Sequence, residues 1–371
     1  MVNGLRREDE LKRVALVQIG YGTVGGAVIE QVLANRPAWR DALGLDVRIA
    51  AVAGRAGALA AEAGSELDET MLRSLVAMRH AAAPAAATPI GDVVAQLAAE
   101  QPVIVMDAAA GEETVGTLVA ALGLGAGVVL SNKAPLALPH ADPRSRALWA
   151  AAGPQGRLRY EATCGAGLPV ISTLRTLLDT ADTVVEVTGA LSGTFGAIFS
   201  SVAAGQPFAA AVRDARDKGY TEPDPRDDLS GLDVARKALI LARTLGREID
   251  LDAIAVHSLV PPHLADVDVP TFLERLVEMD LEIASMARDA AGEDAALKYV
   301  ASLAKNGDVS VGLRHIPRTT VLGALQGPEN VVSFRTLRYD QYPVVVSGPG
   351  AGAQVTAAGM LGDALALARE L

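Results

Sequence analysis

Cysteine is nearly absent: Cys164 is the single one in 371 residues. It cannot close an internal disulfide or build a thiolate metal cluster, which fits a reducing compartment and an expected cytoplasmic location. Aromatic residues are scarce at 4%, which speaks against an aromatic ligand cage. The five histidines (His80, His140, His257, His263 and His315) are scattered without the spacing of metal ligands, so no transition-metal site is expected. Positive charge is in deficit, with 33 Lys+Arg against 44 Asp+Glu and a formal charge of −11. Such a balance repels phosphate backbones and anionic lipid at long range, so neither nucleic acid nor a membrane is expected as partner. Long apolar runs are missing as well. Residues 115–130 carry no charge, but Gly123, Gly125 and Gly127 break them into a short helix, a turn and a strand, well short of a continuous span of about 20 residues. The N-terminal MVNGLRREDELKR is mixed in charge and leads into a stretch of only six residues, 14–19, so no signal peptide is expected.

What is abundant is alanine and glycine, with 36 glycines and an apolar fraction of 50%. This composition is that of a folded globular chain and favours thin helix-on-sheet packing. At about 150 residues per domain the length predicts two domains. Residues 14–19 (VALVQI) read as a buried parallel strand bounded by Gly20. A helix is expected from Gly22 to about Ala34, stopped by Pro37, then a strand at 47–52. Alanine-rich helices are expected near 56–64 and 91–99, with the Pro/Ala segment 82–89 as loop, and further short strands at 103–106 and 128–130. Strand alternating with helix predicts an α/β fold, a Rossmann-type doubly wound parallel sheet over residues 1–150, completed by 341–371 with its terminal helix. Longer alternating runs at 183–188, 297–303 and 309–313 predict a second α+β domain over 151–340.

Gly20-Tyr21-Gly22-Thr23-Val24-Gly25 lies between the first expected strand and helix, where a dinucleotide-binding loop belongs. Gly20 permits a tight turn, Gly22 lets a pyrophosphate approach the backbone, and Gly25 allows helix and strand to pack closely, while the helix N-terminus offers free N–H groups. The second strand ends in AVAGRAG, with Arg55 and no carboxylate. An acid there would bond a ribose 2′-OH, whereas arginine suits a 2′-phosphate. NADP(H) is therefore expected in preference to NAD(H), unless Arg55 is only a solvated loop residue.

The richest segment is GYTEPDPRDDLSGLDVARKALILAR, residues 219–243. A helix is expected to begin near Ser230, with Leu232, Ala235, Leu239 and Ala242 on its apolar face and Asp233 and Lys237 one turn apart on the opposite side. Two readings stay open from the residues alone. Ser230 and Asp233 form a cap and Asp233–Lys237 an exposed ion pair worth about 0.3–0.5 kcal/mol, or the acid-rich, proline-stiffened loop with Glu222, Asp224, Asp227 and Asp228 delivers a carboxylate to a site.

This segment resembles the signature region of homoserine dehydrogenase. Other stretches agree in order: the glycine loop, SNKAPLAL with Asn132 and Lys133, YEATCGAGLPVI at 160–171, LSGT at 191–194 and GPGAGAQVTAAG at 348–359. The chain is similar to the short monofunctional form, with neither aspartokinase nor regulatory ACT domain expected. The resemblance implies reversible reduction of L-aspartate 4-semialdehyde to L-homoserine, on the branch towards threonine, methionine and isoleucine. It implies an active site in a cleft and a homodimer formed through the central domain.

Matched residue by residue, the resemblance makes Lys237 and Lys133 the catalytic lysines. Glu222, Asp233, Thr194 and Gly193 would hold the amino acid. Gly20, Gly22, Thr23, Val24, Gly25, Arg55, Ala109, Lys133 and Gly350 would bind the cofactor. Hydride arriving at the aldehyde carbon leaves an alkoxide, and a desolvated lysine can supply its proton or a balancing charge. EATCGAGL resembles a monovalent-cation loop for Na⁺ or K⁺, with Glu161 and the carbonyls of Cys164, Ala166 and Leu168 as ligands; otherwise Glu161 merely caps a glycine turn, and Cys164 reads as a packing residue. One departure stands out: where the family often has hydroxyl residues, this chain has Asp107-Ala108-Ala109-Ala110-Gly111, so the contact must be absent or made by backbone N–H groups. A redox sensor without turnover and a dehydrogenase acting on another amino acid are the other readings. Both lysines argue against the first, and the Glu222/Asp233 pair against the second.

Overall fold

The computed structural model describes residues 11–55, 57–62, 64–78, 88–153 and 155–371. The chain divides into two compact units, one running to Gly167 and taking in Gly352–Leu371, the other Leu168–Ala351.

The first unit is built on a six-stranded sheet of β1 (Lys12–Ile19), β2 (Leu45–Gly54), β3 (Gly57–Ala60), β4 (Val103–Asp107), β5 (Gly127–Leu130) and β6 (Leu158–Arg159), in the spatial order β3-β2-β1-β4-β5-β6. All neighbours are parallel except the β2–β3 hairpin. Its helices are α1 (Thr23–Leu43), α2 (Glu69–Ala77), α3 (Ile90–Ala98), α4 (Val115–Gly123) and α5 (Pro143–Ala151). Strands β4 and β5 are buried along their whole length, the pattern of a parallel sheet covered on both faces. The order reverses between β1 and β4, and ligands of such sheets bind at the carboxyl ends of the strands at that point.

Two expectations fail here. Residues 57–60 form a strand, not a helix, because Gly54 and Gly57 pair across a tight hairpin that lays the alanines beside β2 as an antiparallel edge. Pro37 does not stop α1, which continues to Leu43 and ends at Gly44 in the left-handed conformation, φ 68°. Pro37 is exposed, so water can satisfy the carbonyl whose N–H partner proline removes. Most of the Pro/Ala segment at 82–89, and His80, lie outside the described residues.

The second unit holds a mixed sheet of β7 (Val184–Ala190), β8 (Ala255–Val256), β9 (Ala295–Ala304), β10 (Val309–Pro317), β11 (Glu329–Thr336) and β12 (Val344–Pro349), ordered β12-β11-β7-β9-β10-β8. Its helices are α6 (Val170–Asp179), α7 (Gly193–Ala203), α8 (Phe208–Asp217), α9 (Pro225–Leu229), α10 (Leu232–Thr244), α11 (Val269–Arg275), α12 (Asp280–Gly292) and α13 (Val321–Ala324). The chain ends in α14 (Ala353–Glu370), which packs on α1, β4 and β5 of the first unit. That unit runs past residue 150 because β6 pairs with β5 and the turn Glu161–Thr163 packs on α14. Among the described residues no helix is long and apolar enough to cross a membrane.

Candidate functional site

The glycine loop stands at the carboxyl end of β1. Gly20 has φ +78°, and a Cβ there would lie 2.9 Å from the Ala108 carbonyl and the Ala109 nitrogen. A Cβ on Gly25 would lie 1.8 Å from the Gly20 carbonyl oxygen, so helix and turn meet backbone to backbone. Around Gly22 a Cβ would meet nothing within 4 Å, and Gly22 caps α1 without a side-chain bond. Buried Gln18 holds the turn, its Nε2 donating to the Gly20 carbonyl at 2.9 Å. A tight turn, an unobstructed approach and the N-terminus of a 21-residue helix fit a dinucleotide pyrophosphate. Arg55 is exposed at the tip of the β2–β3 hairpin, and Tyr21 packs over Gly54, where a Cβ would lie 2.8 Å from the ring.

At Ala108–Ala110, where the hydroxyl contact is expected to be absent or made by backbone N–H groups, the first two N–H groups are engaged within the protein. The Ala108 N–H donates to the Ile19 carbonyl at 2.9 Å, and the Ala109 N–H donates to Asp107 Oδ1 at 2.9 Å. Both are satisfied within the protein, so Ala109 has only its methyl or carbonyl to offer a ligand. Asp107 is fully buried and also accepts from Thr114 Oγ1 at 2.7 Å and Asn132 Nδ2 at 3.1 Å. Burial pushes its carboxyl up, against the pull of these three donors. Through Asn132 it also fixes the turn that carries half-buried Lys133.

In the second unit the signature residues gather around segment 191–194. Lys237 is 9% exposed; its Nζ donates to the Leu191 carbonyl at 2.6 Å and pairs with Asp233 Oδ2 at 2.9 Å. Of the two readings left open, the exposed ion pair does not hold at its lysine end. Helix α10 packs against β9, β10 and α6 and is buried nearly all round from Val234 to Thr244, while Leu232, expected inside, is 43% exposed. The ion-pair spacing is real, but its lysine end is in the interior. Ser230 makes a weak cap, its Oγ accepting from the Leu232 N–H at 3.3 Å, and Gly231 turns the chain into α10 with φ +74°. A Cβ on Gly231 would lie 2.0 Å from the Tyr299 hydroxyl, which itself donates to the His257 carbonyl.

Thr194, 7% exposed, opens α7 beside Gly193, with Ser192 as its cap. Its hydroxyl shares one proton between the Tyr220 carbonyl at 2.5 Å and Asp228 Oδ1 at 2.9 Å. Asp228 Oδ2 accepts the Glu222 N–H at 2.8 Å, leaving the Glu222 side chain exposed. Lys237, Asp233, Thr194, Gly193 and the Glu222 loop are thus tied to one place. Sequence reasoning missed the Leu191 carbonyl, since no pattern marks a carbonyl, and named Asp228 only as one of four look-alike acids of the loop.

Gly350 has a packing reason of its own, since a Cβ there would lie 1.9 Å from the amide of fully buried Asn330. Glu161 is 8% exposed and followed by buried Cys164 and by the left-handed pair Gly165 (φ +89°) and Ala166 (φ +56°). Sequence reasoning also missed Asp363 of α14, whose Oδ2 accepts the Glu161 N–H at 2.8 Å. Burial, with the Glu161 charge adding to it, pushes Asp363 up to about 7. Among the described residues no group of three or more His, Cys, Asp or Glu could hold a metal ion.

The family model for homoserine dehydrogenase matches residues 169–365, and that for the homoserine dehydrogenase NAD-binding domain matches residues 20–161. The homoserine dehydrogenase of Saccharomyces cerevisiae is 35% identical, over 97% of this chain and 99% of its own. A bifunctional aspartokinase/homoserine dehydrogenase of Zea mays is 36% identical over 95% of this chain, which spans only 38% of that relative's length. A Candida auris crystal structure of unknown function superposes with a TM-score of 0.86 at 34% identity, covering 96% of this chain and 99% of that one. The fold recurs, at a TM-score of 0.71 and 21% identity, in a hyperthermophilic archaeal homoserine dehydrogenase solved with NADPH, covering 97% of this chain and 98% of that one. With both halves matched by the family's models and a full-length relative at this identity, the chain belongs to the homoserine dehydrogenase family of oxidoreductases.

Proposed function

We propose that the protein interconverts L-aspartate 4-semialdehyde and L-homoserine with a nicotinamide cofactor, NADP(H) in preference to NAD(H). The observation that carries this is the buried ammonium of Lys237, held between the Leu191 carbonyl and Asp233 beside Thr194. Burying an ammonium is costly even when a half-exposed carboxylate pairs with it, and needs a reason. Here the reason is proton delivery. The Lys237 ammonium donates a proton to the aldehyde oxygen as charge develops on it, and in the reverse direction the neutral amine takes the proton back from the hydroxyl. Asp233 keeps the ammonium oriented, and its half-exposed carboxylate, with that of Glu222, faces the polar groups of the amino acid. Thr194 and Gly193, at the start of α7, give that pole of the substrate hydrogen-bonding partners.

The cofactor, when bound, supplies the hydride. The glycine loop and the N-terminus of α1 hold its pyrophosphate, and Arg55 receives a 2′-phosphate. Lys133 serves as the second catalytic lysine, neutralising charge near the nicotinamide. Glu161 with the carbonyls of Cys164, Ala166 and Leu168 takes a Na⁺ or K⁺ ion that orders the loop without reacting. Leu337, Tyr342 and Val345, 64%, 77% and 37% exposed near edge strand β12, support a homodimer formed through the second sheet, which light scattering would show as about twice 38.2 kDa.

The test is the purified protein with L-homoserine and either NADP⁺ or NAD⁺, following formation of reduced cofactor. Turnover with higher kcat/KM for NADP⁺ is expected. No turnover with either cofactor would remove the proposal.

A further inference from the structure

We infer that Asp228 is a positioning residue for the amino-acid half of the substrate, a role that rests on the activity proposed above. The carboxylate bridges two elements that the chain separates by more than twenty residues. One oxygen meets the Thr194 hydroxyl at the start of α7 at 2.9 Å, the other accepts the Glu222 N–H at 2.8 Å. The same hydroxyl reaches the Tyr220 carbonyl, so the segment Tyr220–Thr221–Glu222 is laced to α7 at both of its ends. A further contact of Glu222 is local, the Thr221 hydroxyl donating to its carbonyl at 2.8 Å; its side chain is exposed and its backbone donor is spent on Asp228.

The far side of the loop is fixed independently. Asp224 caps α9 by accepting the Arg226 N–H at 3.0 Å and pairs with the Arg226 guanidinium, which donates to the carbonyls of Ala265 at 2.8 Å and Val267 at 2.5 Å and lies over the Phe272 ring. Helix α9 is thereby a rigid short rod, and Asp228 projects from it at a set height. This division of labour separates Asp228 from its neighbours. Asp224 and Arg226 anchor the rod; Asp228 transmits its position to Glu222 and Thr194, two groups placed at the substrate.

The role is geometric, not electrostatic, and that makes it testable by shape against charge. Asparagine at 228 can still accept the Glu222 N–H through its oxygen and can donate to the Thr194 hydroxyl through its amide, leaving that hydroxyl's proton for Tyr220. Glutamate keeps the charge but is one methylene too long to hold both contacts. Steady-state kinetics on the wild type, Asp228→Asn, Asp228→Glu and Asp228→Ala are to be measured with L-homoserine and NADP⁺, alongside thermal unfolding of each. The expected pattern is a KM for homoserine within about threefold of wild type for Asn and raised about tenfold for Glu and Ala, the size of one lost hydrogen bond, with the KM for NADP⁺ within about twofold in all. If Ala does not fold, the order of Asn and Glu still decides. Glu milder than Asn would show that charge matters and overturn the inference, as would an unchanged homoserine KM in all variants. A wild type without turnover would instead overturn the activity on which the inference rests.

Discussion

Replacing Lys237 with methionine separates catalysis from folding. Methionine keeps the unbranched apolar stem of the side chain, one atom shorter, and deletes the ammonium. The Leu191 carbonyl, 2.6 Å from Nζ, loses this donor, and an acceptor so deprived costs about 1–3 kcal/mol. The pair with Asp233 reaches a carboxylate 47% exposed, so solvent limits its loss to at most about 1 kcal/mol. Against both stands the charge itself, which folding no longer has to strip of water, a gain of several kcal/mol in the opposite direction. These terms offset, and Lys237→Met should unfold within a few degrees of wild type, roughly the shift expected for less than about 2 kcal/mol. Catalysis has no such compensation. Methionine can neither give nor take a proton, so kcat should fall by roughly 10²–10⁴, or about 3–5 kcal/mol of barrier. Thermal unfolding and initial rates with L-homoserine and NADP⁺, measured on the same preparations, read the two effects separately. A kcat loss under about threefold would return the buried lysine to a purely structural role.

The remaining expectations rest on other contacts. Gly25→Ala puts a methyl 1.8 Å from the Gly20 carbonyl and should cost about 1–3 kcal/mol in unfolding experiments, whereas Gly22→Ala, with nothing within 4 Å, should leave stability within about 0.5 kcal/mol and instead raise the cofactor KM; equal effects of the two on stability would dismiss this reading of the loop. Arg55→Ala, at an exposed hairpin tip, should raise the KM for NADP⁺ about tenfold or more, as loss of a charge-assisted phosphate contact does, and leave that for NAD⁺ alone; parallel changes would mean Arg55 only meets water. Asp363 is held near 7 against an ordinary 3.8, so the folded state keeps a proton that the unfolded chain has lost between those values, and stability falls as pH rises through that window. Asp363→Asn lacks this titration and should gain on wild type across about pH 4–7, by up to about 4 kcal/mol; a difference in Tm between the two that does not change with pH would refute it.

How much of the fold could be read beforehand follows from where burial decides the pattern. Strands β4 and β5 are buried on both faces, and their short β-branched runs announce it, so their places were legible from residues alone. The stretch at 57–60 was not. GALA has helical propensity, but β2 offers it a free edge and Gly54–Gly57 a turn to reach it, and a partner strand outweighs local preference. Pro37 misled for the converse reason: the rule that proline ends a helix assumes the orphaned carbonyl finds no other donor, and an exposed turn supplies water.

The site was legible in its residue types and illegible in its environment. The spacing of Asp233 and Lys237 is the same whether the pair lies in solvent or in the core, and the choice between them belongs to β9, β10 and α6, which cover α10. Those elements are brought to it from both sides of the chain, so no window of sequence around Lys237 contains the information. The same holds one level further out. Asp227 and Asp228 are adjacent acids of one short helix, yet Asp227 is exposed while Asp228 holds Thr194 and Glu222. What separates them is the angle at which α9 leaves its cap, set by Asp224 and by Arg226 gripping the carbonyls of 265 and 267. Function in this unit is therefore distributed between residues that carry chemistry, which composition and motif reveal, and residues that hold them at the right height, which only the folded contacts distinguish from ordinary surface charge.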